Sequence, residues 1–255
     1  MGRSDAYDQA VTARRIERRI DALDDSTRSR PADQYRGSAV SLLDAAGTDP
    51  VPTTPAPGEL CVVRHGETEW SRSGRHTSVT DVPLTPVGEK QAKALGPLLA
   101  GVCPATVFTS PRARAIRTAE LAGLAEVCPI VTTADLAEWA YGDYEGVTTV
   151  EIRKTRPGWT IWTGDPPGGE TAAEVGDRAD RMLARIRDAL QRGPVVTVGH
   201  GHFSRVLAAR WLDLPVRSGA MFVLGPASPC LLGQEHGQPA VHRWNVPNPA
   251  ERESR

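Results

Sequence analysis

A short apolar run, Leu60 to Val63, leads into Arg64-His65-Gly66 and then Glu67-Thr68-Glu69-Trp70. Such a run reads as a buried strand, and open α/β sheets bind ligands at the carboxyl ends of their strands. The turn therefore sets a guanidinium beside an imidazole at a ligand-binding edge. The arginine can clamp two oxygens of a tetrahedral anion in its planar fork. Glycine beside the histidine is expected to let the backbone approach that anion closely. A neutral imidazole is nucleophilic near neutral pH, where serine would need an added base. These parts point to phosphoryl transfer onto a nitrogen nucleophile.

A phosphomonoester dianion repels nucleophiles, and its leaving alkoxide is poor. Its catalyst needs positive charge around the equatorial oxygens, an in-line nucleophile and an acid for the leaving oxygen. Arg64, Arg114 and His200 can supply the charge, His65 the nucleophile and Glu138 the acid. The ring nitrogen of His65 that does not attack must donate to a fixed acceptor, and a turn carbonyl near Gly66 would suffice. Glu138 lies between Leu136 and Trp139, ahead of Tyr141-Gly142, in apolar surroundings that favour a protonated carboxyl. Glu145, in Tyr144-Glu145-Gly146, is its nearest rival, although that turn has a structural use for a glutamate.

Arg64-His65-Gly66-Glu67-Thr68-Glu69-Trp70 resembles the signature of the histidine phosphatase superfamily, also called the phosphoglycerate mutase-like family. Four further segments resemble that family's other motifs in order. They are Thr109-Ser110-Pro111-Arg112-Ala113-Arg114-Ala115 with Thr118-Ala119, Leu136 to Gly146, Gly169-Glu170-Thr171 with Arg178, and Val198-Gly199-His200-Gly201-His202. The resemblance spans roughly residues 59 to 245. It implies an α/β three-layer sandwich with a largely parallel central sheet flanked by helices, a phosphohistidine at His65, and the proton donor at Glu138.

Within the family the chain reads as a hydrolase. Cofactor-dependent phosphoglycerate mutases, the alternative, follow the acid with arginine, whereas Trp139 stands here. They also carry a longer insertion with paired arginines, and only about 23 residues separate Gly146 from Glu170. A shorter lid favours attack by water on the phosphoenzyme. A narrower resemblance runs through Ser71-Arg72-Ser73-Gly74, Thr77, Thr80-Asp81, Trp159, Trp162 and His200-Gly201-His202. It points to a subgroup holding actinobacterial acid phosphatases and sedoheptulose-1,7-bisphosphatases, and so to sugar phosphates, sugar bisphosphates or other small phosphomonoesters. Ser71, Arg75, His76, Thr77, Tyr141, Gly201 and His202 are the candidate substrate shell. A third possibility is a non-catalytic phosphate-binding module, but both histidines, both arginines and Glu138 persist.

Alternating strands and helices must position these groups. Strands are expected at Leu60 to Val63, Ala105 to Thr109, Pro129 to Thr132 and Val195 to Val198. Late edge strands are expected at Ala220 to Leu224, Pro229 to Leu232 and Ala240 to Trp244. Thr85-Pro86 starts a helix that runs to about Ala100, with threonine as cap and proline at the first position. Other helices follow over about Pro111 to Leu121 and Phe203 to Trp211. The longest, Thr171 to about Arg192, carries an apolar stripe of Val175, Ala179, Met182, Ile186 and Leu190.

Residues 1–47 read as an extension, partly helical or disordered. Residues 48–58, with four prolines, form a linker, residues 59–247 the phosphatase domain and residues 248–255 a flexible tail. The extension's arginine cluster (Arg14, Arg15, Arg18, Arg19) is offset by acids over its whole length, unlike a nucleic-acid arm or transit peptide. The formal net charge of −1 gives no global pull towards nucleic acid or anionic membrane. No apolar stretch approaches the roughly 18–20 residues that span a bilayer. The expected partner is a small phosphate ester, with a homodimer left open. No cofactor or metal is expected, because zinc-type spacings are absent and arginines flank both histidine motifs. Four scattered cysteines without a Cys-x-x-Cys pair suit reduced thiols and a cytoplasmic setting.

Overall fold

The computed structural model describes residues 58–251, Gly101 apart. The expected extension and all of the linker except Gly58 lie outside the described residues. Six strands form one sheet: β1 (Leu60–Arg64), β2 (Thr106–Thr109), β3 (Ile130–Thr132), β4 (Val195–Gly199), β5 (Pro229–Glu235) and β6 (Gln238–Arg243), in the order β3-β2-β4-β1-β5-β6. The pairs β3-β2, β2-β4 and β4-β1 are parallel, while β5 runs antiparallel to both β1 and β6. Arg64 is in register with Gly199, so the turns after β1 and β4 emerge side by side.

Among the described residues, seven α-helices accompany the sheet: α1 (Glu69–Ser73), α2 (Pro86–Leu99), α3 (Ala113–Leu121), α4 (Leu124–Val127), α5 (Thr149–Thr155), α6 (Ala172–Leu190) and α7 (Gly201–Trp211). Alternation along β1 divides the core into two layers. Leu60 and Val62 pack with Val175, Met182, Ile186, Phe203 and Leu207 of α6 and α7. Cys61 and Val63 face Leu95, Leu99, Ala115 and Ala119 of α2 and α3. Caps set the helix starts. The Thr85 side chain accepts from Gly88 N ahead of Pro86, and Thr171 forms a capping box with Glu174. Four residues of the expected α6 stripe are fully buried, and Leu190 packs partly buried against them.

Two expectations need correction. Ala220 to Leu224 is not a strand: a 3-10 turn covers Val216–Met221, and the segment's carbonyls are taken by side chains instead of a ladder. Gly219 and Ala220 accept from Arg205, Val223 from Trp244 Nε1 and Leu224 from Arg64. The tail starts later than residue 248. Asn248 is fully buried, donates to the carbonyls of Gln91 and Ala227, and leads into a 3-10 turn at Pro249–Glu251.

Candidate active site

The turn after β1 is fixed from three sides. His65 N donates to Gly199 O of β4 at 2.9 Å. Gly66 N donates to Thr118 Oγ1 of α3 at 3.1 Å. A Cβ on Gly66 would collide with the Gly88 carbonyl of α2. The glycine is thus required by close packing on α2, which corrects the expectation that it makes room for an anion. Within this frame His65 Nδ1 lies 2.7 Å from its acceptor, the Gly66 carbonyl. A carbonyl can only accept, so the proton sits on Nδ1 and Nε2 keeps its lone pair.

Arg64 Nη1 donates to Leu224 O at 2.8 Å. Arg114, fully buried near the start of α3, donates from Nη1 to Thr80 O (2.9 Å) and from Nη2 to Thr77 O and Ser78 O. Asp81 accepts from Ala113 N at the start of the same helix. Glu145 organises this loop, accepting from Ser78 N, Ser78 Oγ and Thr80 N. Burial alone would raise the Glu145 carboxyl, but these hydrogen bonds outweigh it and lower it. Its task is to shape the carbonyl cradle of Arg114, in line with the structural use expected from sequence.

Glu138 is held by backbone. Oε1 accepts from Trp139 N (2.9 Å) and Phe203 N (2.7 Å), and Oε2 accepts from His202 N (3.0 Å). The last two donors belong to the first turn of α7, whose capping residue His200 offers no side-chain cap. Glu138 therefore caps α7 from a distant segment. That segment is clamped in turn. Arg178 donates to both carboxylate oxygens of Glu170 (2.8 and 2.7 Å) and to the carbonyls of Asp135, Ala137 and Glu138. Glu170 also receives Ala140 N, and its carbonyl receives Trp139 Nε1. The Gly169-Glu170-Thr171 and Arg178 motif thus positions Glu138. With two of its acceptor positions filled, Oε1 is saturated, and Oε2 keeps a free lone pair for a proton.

His200, at the end of β4, is fully buried, with Nε2 2.7 Å from Ser110 Oγ and its ring edge-on to His65 at 5.2 Å between centroids. Among the described residues, the side-chain atoms buried without a hydrogen-bond partner are Arg64 Nε, Arg112 Nε, Arg114 Nε, His200 Nδ1 and Thr109 Oγ1. Burial holds His65 and His200 well below the ordinary imidazole range, with the charge of Arg114 as the next cause in each. Both rings are neutral at pH 7.

A cavity of about 220 Å³ opens over this centre. Arg64, His65 and Glu138 line it, together with every substrate-shell candidate: Ser71, Arg75, His76, Thr77, Tyr141, Gly201 and His202. Arg114 and His200 are not in its lining. Not all of the shell has free polar atoms. Ser71 Oγ is engaged in the capping box of α1, and Thr77 Oγ1 donates to Arg75 O. His76, Tyr141 and His202 form a ring wall, with Tyr141 OH 2.6 Å from His202 Nδ1 and the His76 and Tyr141 centroids 4.6 Å apart. Burial lowers His76 to about 4 and raises Tyr141, so this wall carries no charge at pH 7. Gly74, Thr149, Arg205 and Leu224 also line the cavity and escaped the sequence reading. Arg205 had a signal, because it falls one helical turn after Gly201 and so shares its face.

An α/β sandwich that gathers two neutral histidines, a half-buried and a fully buried arginine and a helix-capping glutamate at one cavity defines a phosphate-handling enzyme. The histidine phosphatase superfamily (branch 1) model matches residues 60–247, and the chain belongs to that superfamily as a phosphatase. An acid phosphatase of Mycobacterium tuberculosis is 46% identical over 182 residues, covering 70% of this chain and 87% of that one. A sedoheptulose 1,7-bisphosphatase of Saccharomyces cerevisiae is 37% identical over 185 residues, covering 61% of this chain and 68% of the yeast protein. Among solved structures, an open reading frame of Mycobacterium tuberculosis superposes with a TM-score of 0.71 at 42% identity, over 74% of this chain and 98% of its own.

Proposed function

We propose that the chain hydrolyses a small phosphorylated metabolite, a sugar phosphate or sugar bisphosphate, through a phosphohistidine on His65, without a metal. The observation that carries this is that three of the unpartnered buried nitrogens, Arg64 Nε, Arg114 Nε and His200 Nδ1, belong to side chains beside an imidazole whose Nε2 is free. Buried donors need acceptors, and the oxygens of a phosphoryl group would supply them. His65 Nε2 attacks phosphorus as the ester P–O bond breaks. Glu138 Oε2 gives its proton to the leaving oxygen, and the alcohol departs. Water then attacks the phosphohistidine, the Glu138 carboxylate takes its proton, and phosphate leaves with both side chains restored.

A neutral aromatic wall suits the C–H faces of a polyol, and the cavity's size suits a small metabolite. The yeast relative is a sugar bisphosphatase by name. Trp139 is fully buried against Trp162, so it offers no cation for the carboxylate that a phosphoglycerate mutase must hold. A denaturing quench during turnover should trap an acid-labile, base-stable phosphoenzyme that His65→Ala does not form. Label recovered on serine, cysteine or aspartate would overturn the mechanism. Phosphate release from a panel of sugar phosphates, sugar bisphosphates and phosphoglycerates identifies the substrate.

A further inference from the structure

Ser110 lies against His200, and its hydrogen bonds set what His200 can do. The serine is fully buried directly after β2, and its backbone N donates to Val198 O at 3.0 Å, two residues before His200. Its Oγ accepts from Arg112 N at 3.3 Å and lies 2.7 Å from His200 Nε2. Two proton arrangements are available. If His200 Nε2–H donated to Ser110, the oxygen would accept twice, and its own hydrogen would have no acceptor among the described residues. His200 Nδ1 would then present a lone pair to the phosphoryl oxygens. If Ser110 O–H donates to Nε2, the hydroxyl both donates and accepts. The imidazole proton then sits on Nδ1, the atom that has no protein partner.

We infer that Ser110 is a positioning residue that locks His200 in its Nδ1–H tautomer, making it a neutral hydrogen-bond donor to the phosphoryl group. This rests on the proposed function only in naming the phosphoryl group as acceptor; the tautomer stands apart from it. The neutral state has a separate cause, since burial and the Arg114 charge oppose a second proton on the ring. A neutral donor leaves the nearby His65 without an imidazolium neighbour and still stabilises charge that develops on the phosphoryl oxygens.

The test is long-range ¹⁵N–¹H correlation on the full-length wild-type chain labelled in its histidines, with the His200 signals assigned by their loss in His200→Gln. The expected result is a protonated Nδ1 and an unprotonated Nε2 between pH 6 and 8. A protonated Nε2 would overturn the inference, and this measurement needs no variant of Ser110 to fold. In Ser110→Ala the tautomer should move to Nε2–H and kcat/KM should fall roughly 10²- to 10³-fold, the usual effect of losing one such donor. Ser110→Thr, which keeps the hydroxyl, should restore the tautomer and most of the rate. An unchanged tautomer in Ser110→Ala would also overturn it. If the tautomer behaves as stated while wild type forms no phosphoenzyme, the proposed function fails and the positioning role stands.

Discussion

Glu138→Gln separates the two tasks that the structure places on one carboxylate. As a cap, Glu138 accepts three backbone N–H groups, two of them from the first turn of α7. A glutamine can place its carbonyl oxygen where Oε1 receives Trp139 N and Phe203 N. Its amide nitrogen must then face His202 N, donor against donor. Leaving that buried N–H unsatisfied costs about 1–3 kcal/mol. Losing a negative charge at a helix N-terminus costs about 1 kcal/mol more. For a domain of this size, a loss of about 2–4 kcal/mol lowers Tm by roughly 5–15 °C. As an acid, the same substitution removes the proton donor, and turnover of esters with alkoxide leaving groups should fall by roughly two to four orders of magnitude.

Leaving-group dependence distinguishes these effects. An aryl phosphate with an activated leaving group needs little protonation, so its kcat/KM should fall far less than that of an alkyl phosphate. Both would be assayed well below the variant's Tm, which scanning calorimetry supplies. Equal losses on the two substrates would remove Glu138 from acid catalysis and leave it only the capping task. Glu145, the alternative from sequence, is bonded to Ser78 and Thr80, so its replacement should disturb the Arg114 cradle and lower both rates together. An unchanged Tm in Glu138→Gln would refute the capping argument.

Stability should fall below pH 6.5. His65, His76 and His200 are buried with pKa values below that of the unfolded chain, so each is fully stabilising above about 6.5 and loses up to about 1.4 kcal/mol per pH unit as the unfolded state takes up its proton; a Tm that stays flat from pH 7 to 5 would contradict this. Vanadate should inhibit by mimicking the trigonal-bipyramidal transition state, and activity should survive excess chelator. Loss of activity with chelator, restored by a divalent ion, would refute the metal-free site. Gly201→Ala would place a Cβ 3.3 Å from Arg64 Nε, so kcat/KM should drop about tenfold while Tm holds or rises, because alanine suits the helix better than glycine; a fall in Tm matching the loss in rate would show a folding defect instead. A chain beginning near Thr54 should fold and retain phosphatase activity, since β1 starts at Leu60 and all five motifs lie beyond it; loss of turnover would give residues 1–53 a part in the domain.

Sequence carried the layers and most of the site because their signals are local. Thr85-Pro86 and the Thr171–Glu174 box are complete within four residues, and the apolar stripe of α6 repeats on its own face. His65 and His200 were legible because each directly follows a buried apolar strand. What sequence hid depends on contacts between distant segments. Gly66 is a packing glycine because Gly88 lies against it. Ala220 to Leu224 has the apolar content of a strand, but Arg64, Arg205 and Trp244 claim the carbonyls of Leu224, Ala220 and Val223 before a ladder can. No local rule reports that Glu138 caps a helix beginning at Gly201, since the acid and the helix meet only through the fold.

One physical arrangement links these long-range contacts. The register of Arg64 with Gly199 brings the turns after β1 and β4 together, so α7 starts beside the guanidinium at the end of β1. The positive end of that helix would add to the charge of Arg64 and Arg114, which keeps the imidazoles neutral but concentrates like charge in one place. Glu138 resolves that conflict by terminating the helix dipole with an anion. On the proposed mechanism the same carboxyl hands a proton to the leaving oxygen, using the lone pair that Oε2 keeps beyond its bond to His202 N. One side chain thus ties the start of α7 to the reaction over His65, because its bonds to His202 N and Phe203 N fix where that lone pair points.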